Sequence, residues 1–184
     1  MKKMISLLFV FIVGLGIFTY VQKENSFKKY IEQASANATH QIPANPKAPV
    51  FAQGEIVIAS SPEKVWDALT QINEWPSWQS DVTEAKIQGP VVPGAIFTWR
   101  AGGISFQSEI HTAKTPNFLG WTGKTIGAYA VHNWTLSEFD GQTLVQVEES
   151  LEGFLPSLLK GFFQKNLEAG IQKNLEDLRQ EIEK

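Results

Sequence analysis

The chain has no cysteine, which removes a disulfide framework, thiolate-bound zinc or iron–sulfur clusters, a cysteine nucleophile and any lipidated cysteine. The same absence leaves the redox state of its compartment unreadable. Histidine is scarce: His40, His111 and His132 are the only three, too scattered along the chain to read as a metal cluster. No metal and no cofactor is therefore expected. No Gly-rich phosphate loop, HExxH, GxSxG or paired-carboxylate spacing occurs, so nucleophilic hydrolysis has no visible nucleophile. Clustered positive charge is missing where it would count, since residues 50–184 carry a net charge of −7. Nucleic acid is excluded as a partner on that ground, because phosphate contacts need a basic stripe.

What remains is 184 residues, 43% of them hydrophobic, enough for one globular domain and an appendage. The appendage is basic, with a net +4 over residues 1–49. After Lys2 and Lys3, the run Met4–Val21 is free of charge and as a helix would span roughly 27 Å, close to a bilayer's hydrocarbon thickness. Residues 1–22 are accordingly expected to be a single-pass membrane anchor. A cleaved signal peptide, giving a secreted or periplasmic protein, is the alternative. Its difficulty is that the nearest Ala-x-Ala sites, beginning at Ala34 and Ala36, lie well past the apolar run. The lysines before the run favour a cytoplasmic amino terminus and a domain on the outer side. Phe27, Tyr30, Ile31 and Ala34 then recur at helical spacing, which predicts a short amphipathic helix, either lying on the membrane surface or simply extending the anchor. Prolines 43, 46 and 49 mark residues 37–49 as an extended, semi-rigid spacer with an idle His40.

From Val50 the chain reads as one domain. Residues 53–59 alternate as a strand, and Ser61-Pro62 supplies an N-cap and first turn for a helix carrying Val65, Trp66, Leu69 and Ile72. A second short turn surrounds Trp78. Between Val82 and Gly153 the period falls to two, predicting strands at 82–88, 95–101, 104–113, 118–126, 128–139 and 142–152, with Asp140-Gly141 as a two-residue hairpin turn. A helical stripe from Leu155 to Ile182 closes the sequence, with Gly161 and Gly170 as candidate bends or close contacts. A long meander needs such a helix across it to bury its apolar face, so the expected class is α+β: a curved antiparallel sheet of about seven strands around a long C-terminal helix, with two short helices after strand 1.

The phrases EIVIASSPEKVWDALTQINEWPSWQSDV, PGAIFTWRAGG, LGWTGKTIGAYAVHNWTL and GQTLVQVEESLEG carry a specific resemblance. They are similar to the START-like, or SRPBCC, superfamily of polyketide cyclase/dehydrase and lipid-transport proteins, over about residues 51–184. The most telling features are Ser-Pro-x-x-Val-Trp followed by Trp-Pro-x-Trp, and Glu-Glu-Ser-x-x-Gly in the last strand. The resemblance implies a helix-grip fold whose cavity takes hydrophobic ligands such as lipids, sterols or polyketides. It implies no shared catalytic motif.

Strand alternation nominates the residues facing that cavity. They are Phe97 and Trp99 on one strand, Phe106, Ser108 and Ile110 on the next, then Leu119, Trp121 and Gly123, then His132, Trp134 and Leu136, and finally Val145, Val147 and Glu149. A mostly apolar lining with few polar groups suits an apolar ligand oriented by one or two hydrogen bonds, although aromatic stripes also simply fill cores. His132 and Glu149 are the polar exceptions; paired across neighbouring strands they would be the candidate catalytic groups for proton transfer. Arg100 and Glu109 should face solvent. The expected function is binding of a hydrophobic small molecule or lipid by a membrane-tethered domain, without catalysis. A cyclase- or dehydratase-like enzyme using His132 and Glu149, or an interaction module with a filled core, are the alternatives. Oligomeric state is not readable.

Overall fold

The computed structural model describes residues 2–184, with side chains from Leu15 onward. A first helix, α1 (Lys2–Asn37), precedes a seven-stranded antiparallel sheet: β1 (Val50–Ile58), β2 (Val82–Ile87), β3 (Ile96–Ala101), β4 (Ile104–Lys114), β5 (Phe118–Thr125), β6 (Ala128–Phe139) and β7 (Gln142–Glu152). The spatial order is β1-β7-β6-β5-β4-β3-β2, a meander in which only β1 is displaced to pair with β7. Helices α2 (Pro62–Thr70) and α3 (Trp75–Trp78) follow β1, joined by a 3₁₀ turn at Ile72–Glu74. The expected class is thus the observed one, the helix-grip fold. Asp140 and Gly141 both take positive φ (52° and 73°), as a two-residue turn between twisted strands requires.

The carboxyl end departs from the single helix expected. It is split into α4 (Phe154–Leu158) and α5 (Lys160–Ile182), with Leu159 between them at φ −116°, ψ 41°. Two weak helix positions, Pro156 and Gly161, flank the break. Neither Gly161 nor Gly170 marks a close contact, since a Cβ at either would meet nothing within 4 Å. The tight approach is at Gly54 instead, where a Cβ would lie 2.8 Å from Ile171 and 3.0 Å from Leu175. That lets α5 settle onto β1 and drive Ile171, Leu175, Leu178 and Ile182 into the core beside Val145, Val147 and Leu136. Ser61 stands at the N-cap of α2 with extended backbone, but its side chain makes no capping bond.

The largest difference lies on the sheet's outer face. The stretch around Phe27 is the helical extension that one of the two readings expected, and it is packed on the domain. It continues α1 and packs on β6, with Phe27 stacked on Tyr129 at 5.1 Å and Tyr30, Ile31 and Ala34 around them. The proline-containing segment is not a free spacer. It runs back across the sheet as a strap, burying Ile42 and Ala44 beside Val131. Side chains of β7 and β6 hold it: Ala44 N–H donates to Glu148 Oε1 (3.0 Å), Asn45 N–H to Ser150 Oγ (3.0 Å), Asn45 Nδ2 to Glu152 Oε1 (2.9 Å), and Asn133 Nδ2 to the Ile42 carbonyl (2.7 Å). Prolines cannot join a ladder, so the strap finds its partners in side chains. His40 is not idle either: it stacks on Phe118 at 4.8 Å.

Among the described residues no helix is long and apolar enough to cross a membrane. Most of the charge-free run, through residue 14, lies outside the residues whose side chains are described.

Candidate ligand pocket

Trp75, supplied by the Trp-Pro-x-Trp phrase, is the hub of the interior. Its Nε1 donates to the Leu69 carbonyl (3.0 Å), and its ring meets Phe97 edge-on at 5.5 Å, Trp99 at 6.1 Å and Trp121 at 5.6 Å. From Trp121 the file continues to His132, stacked at 4.4 Å, and on to Trp134 at 5.5 Å. In the other direction Trp99 stacks on Phe106 at 4.6 Å and donates from Nε1 to Ser108 Oγ (3.1 Å).

The alternation set therefore faces inward, but it divides. Phe97, Ile110, Leu119, Trp121, Trp134, Leu136, Val145 and Val147 are buried core, most of the space over them being taken by α5 and by Trp75. Trp99 and Phe106 instead line an open pocket of about 1370 Å³. Its other walls come from Ala85, Ala128, Pro76 of α3, Leu155 of α4 and Phe163 of α5, and its rim from Tyr20, Ile104, Ile126 and Lys124. Glu84, Lys86, Thr98 and Arg100 flank the outer side of the β2–β3 edge. As expected, Arg100 and Glu109 are exposed.

Ser108 and Gly123 do not line this pocket. They border a separate groove of about 510 Å³ between α1 and the outer face of β4 and β5, and a Cβ on Gly123 would meet Ser108 Oγ at 3.3 Å.

His132 and Glu149 do come together, opposite one another in the β6–β7 ladder. Nδ1 of the imidazole donates to Glu149 Oε2 at 2.6 Å, and Nε2 is buried without a partner, as is Trp134 Nε1. With the carboxylate accepting at Nδ1, Nε2 of the neutral ring is left as an acceptor. Neither His132 nor Glu149 reaches the pocket wall, because Trp121 covers one face of the imidazole.

In Glu-Glu-Ser-x-x-Gly, alternate residues serve opposite faces of the sheet. Glu148, Ser150 and Glu152 point outward to the strap and Glu149 inward to His132. Gly153, at φ 115°, brings the chain so close to the β5–β6 turn that a Cβ would lie 2.6 Å from the Gly127 carbonyl.

Sequence reasoning missed Pro76, Ala85, Ala128, Leu155 and Phe163 as pocket residues. Alanine carries no periodicity signal. The apolar cluster Leu155, Leu158, Leu159, Phe162 and Phe163, however, is wider than one core-facing stripe requires, and that excess was the readable sign.

The family described as polyketide cyclase/dehydrase and lipid transport matches residues 51–183. The chain belongs to that family. No curated protein matches it. Among solved structures it is similar to the hypothetical protein jhp0584 from Helicobacter pylori, at 16% identity and TM-score 0.67, over 77% of this chain and 94% of that one. It also resembles the Zhui aromatase/cyclase from Streptomyces sp. R1128, at 11% identity and TM-score 0.64 over 72% and 93% of the two chains. A START superfamily protein from Mycobacterium smegmatis superposes at 13% identity and TM-score 0.59, over 72% and 97%. At these identities the likeness is one of fold, and function has to be argued from the site.

Proposed function

We propose that the protein is a membrane-tethered binding domain, held by residues 4–21 with the domain on the outer side, that takes a hydrophobic small molecule or lipid into the pocket between the sheet and the start of α5. The observation that carries this reading is the pocket's lining: aromatic and aliphatic inner walls, with the charged side chains Glu84, Lys86, Arg100 and Lys124 on the rim and the outer edge, and neither His132 nor Glu149 among them. Such a site gains affinity from apolar burial and needs little else. The enzymatic reading would have His132 and Glu149 transfer a proton, and the unpartnered Nε2 is the feature in its favour. A general acid or base must come within hydrogen-bond reach of its substrate, and the pocket stops short of both residues.

The test is mass spectrometry of apolar molecules that copurify with the full chain in mild detergent, followed by titration of whatever is found. Ala128→Phe, on the wall that Ala128 shares with Leu155, should fill the pocket and weaken binding at least about tenfold, or about 1.4 kcal/mol, with an unchanged melting temperature as the control on folding. An empty protein that binds no apolar probe would favour an interaction module. Turnover of the bound molecule that is lost in both His132→Ala and Glu149→Gln while binding persists would establish the enzymatic reading instead.

A further inference from the structure

The pocket opens at the end of the sheet where β3 passes into β4 and β5 into β6. Large apolar side chains crowd that end without cover: Ile126 is 88% exposed, Phe162 65%, Leu158 64%, Ile104 50% and Leu159 48%. Single exposed apolar residues are ordinary. Here Ile104 on β4 and Ile126 in the β5–β6 turn line the opening, and Leu158, Leu159 and Phe162 stand at the α4–α5 junction, close in sequence to the wall residues Leu155 and Phe163; together they make a patch of the kind that marks an interaction surface.

The path of α1 indicates what covers it. This helix descends the outer face of the sheet and reaches the opening at Tyr20, which lines the pocket and lies 3.3 Å from the Tyr129 hydroxyl, oxygen to oxygen. Tyr20 is also the next-to-last residue of the charge-free run, and Leu15, Ile17 and Phe18 just before it are 56–61% exposed. No linker separates the apolar run from the domain, because the proline-containing segment lies after α1 and is strapped to the sheet. Lys124 on the rim and Lys160 at the start of α5 form no ion pair among the described residues, although the domain as a whole is acidic. Cations beside apolar side chains fit phosphate headgroups above acyl chains.

We infer that the domain sits mouth-down on the bilayer that holds its own anchor, with Ile104, Ile126, Leu158 and Phe162 at the lipid surface, so that the pocket opens directly onto lipid. This rests on the tethered-binding reading above and adds an orientation to it. A ligand then passes between bilayer and pocket without crossing water.

The cysteine-free sequence suits a direct test. Single exposed positions, Ile126→Cys and Phe162→Cys at the mouth and Gln142→Cys at the opposite end, are labelled with an environment-sensitive fluorophore in the full chain, reconstituted in phosphatidylcholine vesicles with and without phosphatidylglycerol. Labels at 126 and 162 should shift to the blue and be quenched by nitroxide-bearing lipids, while the label at 142 stays water-like and unquenched. If the protein floats with the vesicles but all three labels look alike, the orientation is wrong and the tether stands. If it does not float, the tether itself fails and the orientation with it. Cross-linking between copies through position 162, without lipid quenching, would assign the patch to a second copy and overturn the inference.

Discussion

Acid should loosen the outer face of this domain through one residue. His111 is the extra residue of the irregularity in β4, where the register shifts between Ile110 and Thr112. It lies under the strap near Gln41 and Ile42. Its Nδ1 contacts Thr112 Oγ1 at 2.9 Å, and its Nε2 is buried without a partner. Burial, and secondarily the neighbouring charge of His132, lower its pKa from 6.5 to about 4. Above 6.5 the ring is neutral whether the chain is folded or not, and stability is unaffected. Between 6.5 and about 4 the unfolded chain binds a proton that the folded one refuses, so stability falls with pH and levels off below that window. At roughly 1.4 kcal/mol for each pH step the loss is about 3 kcal/mol. Urea unfolding of the full chain in non-ionic detergent, repeated from pH 7.5 to 4, measures it. His111→Gln carries no titratable ring, so the difference between wild type and variant should change by about that amount across the window. Parallel decline of the two proteins would refute the reasoning, because it would mean that the ring is already free to take its proton in the folded state.

Two further outcomes follow from close contacts. Gly153→Ala forces a side chain into positive φ against the Gly127 carbonyl and should cost about 1–3 kcal/mol in a denaturant melt, whereas Gly161→Ala, with open space around it, should be neutral or slightly stabilising. Ile42→Ala should cost about 2 kcal/mol if the strap is part of the folded layer, and nothing measurable if residues 37–49 behave as a free spacer.

The strands and turns were legible because alternation and hairpin dipeptides are local signals, and Asp140-Gly141 is the clearest case. Inward orientation was legible for the same reason. How deeply α5 plugs the sheet was not, because it depends on Gly54, a position whose meaning appears only when Ile171 is seen above it. The outer layer was partly written in β6: Ala-Tyr-Ala-Val-His-Asn-Trp-Thr-Leu lacks the polar alternation of a strand with one wet face, and such a run signals cover on both sides. Its near-continuous burial from Ala128 to Leu136 bears that out. The proline pattern pointed the other way, since it reports backbone that cannot pair with a neighbouring strand but is blind to carboxylates and hydroxyls that can take its place.

Those carboxylates and hydroxyls make β7 a two-sided fastener. Odd and even residues of Glu148–Glu152 serve opposite faces, so the interior and the strap depend on one reading frame. Insertion or loss of a single residue between Val147 and Gly153 would exchange the faces of the residues beyond it, sending strap partners toward the core and inward groups toward the strap. Point changes in this hexapeptide can be absorbed one contact at a time, but a change in its length cannot. The spacing of Glu-Glu-Ser-x-x-Gly is therefore a stricter requirement on this chain than the identity of any one of its letters.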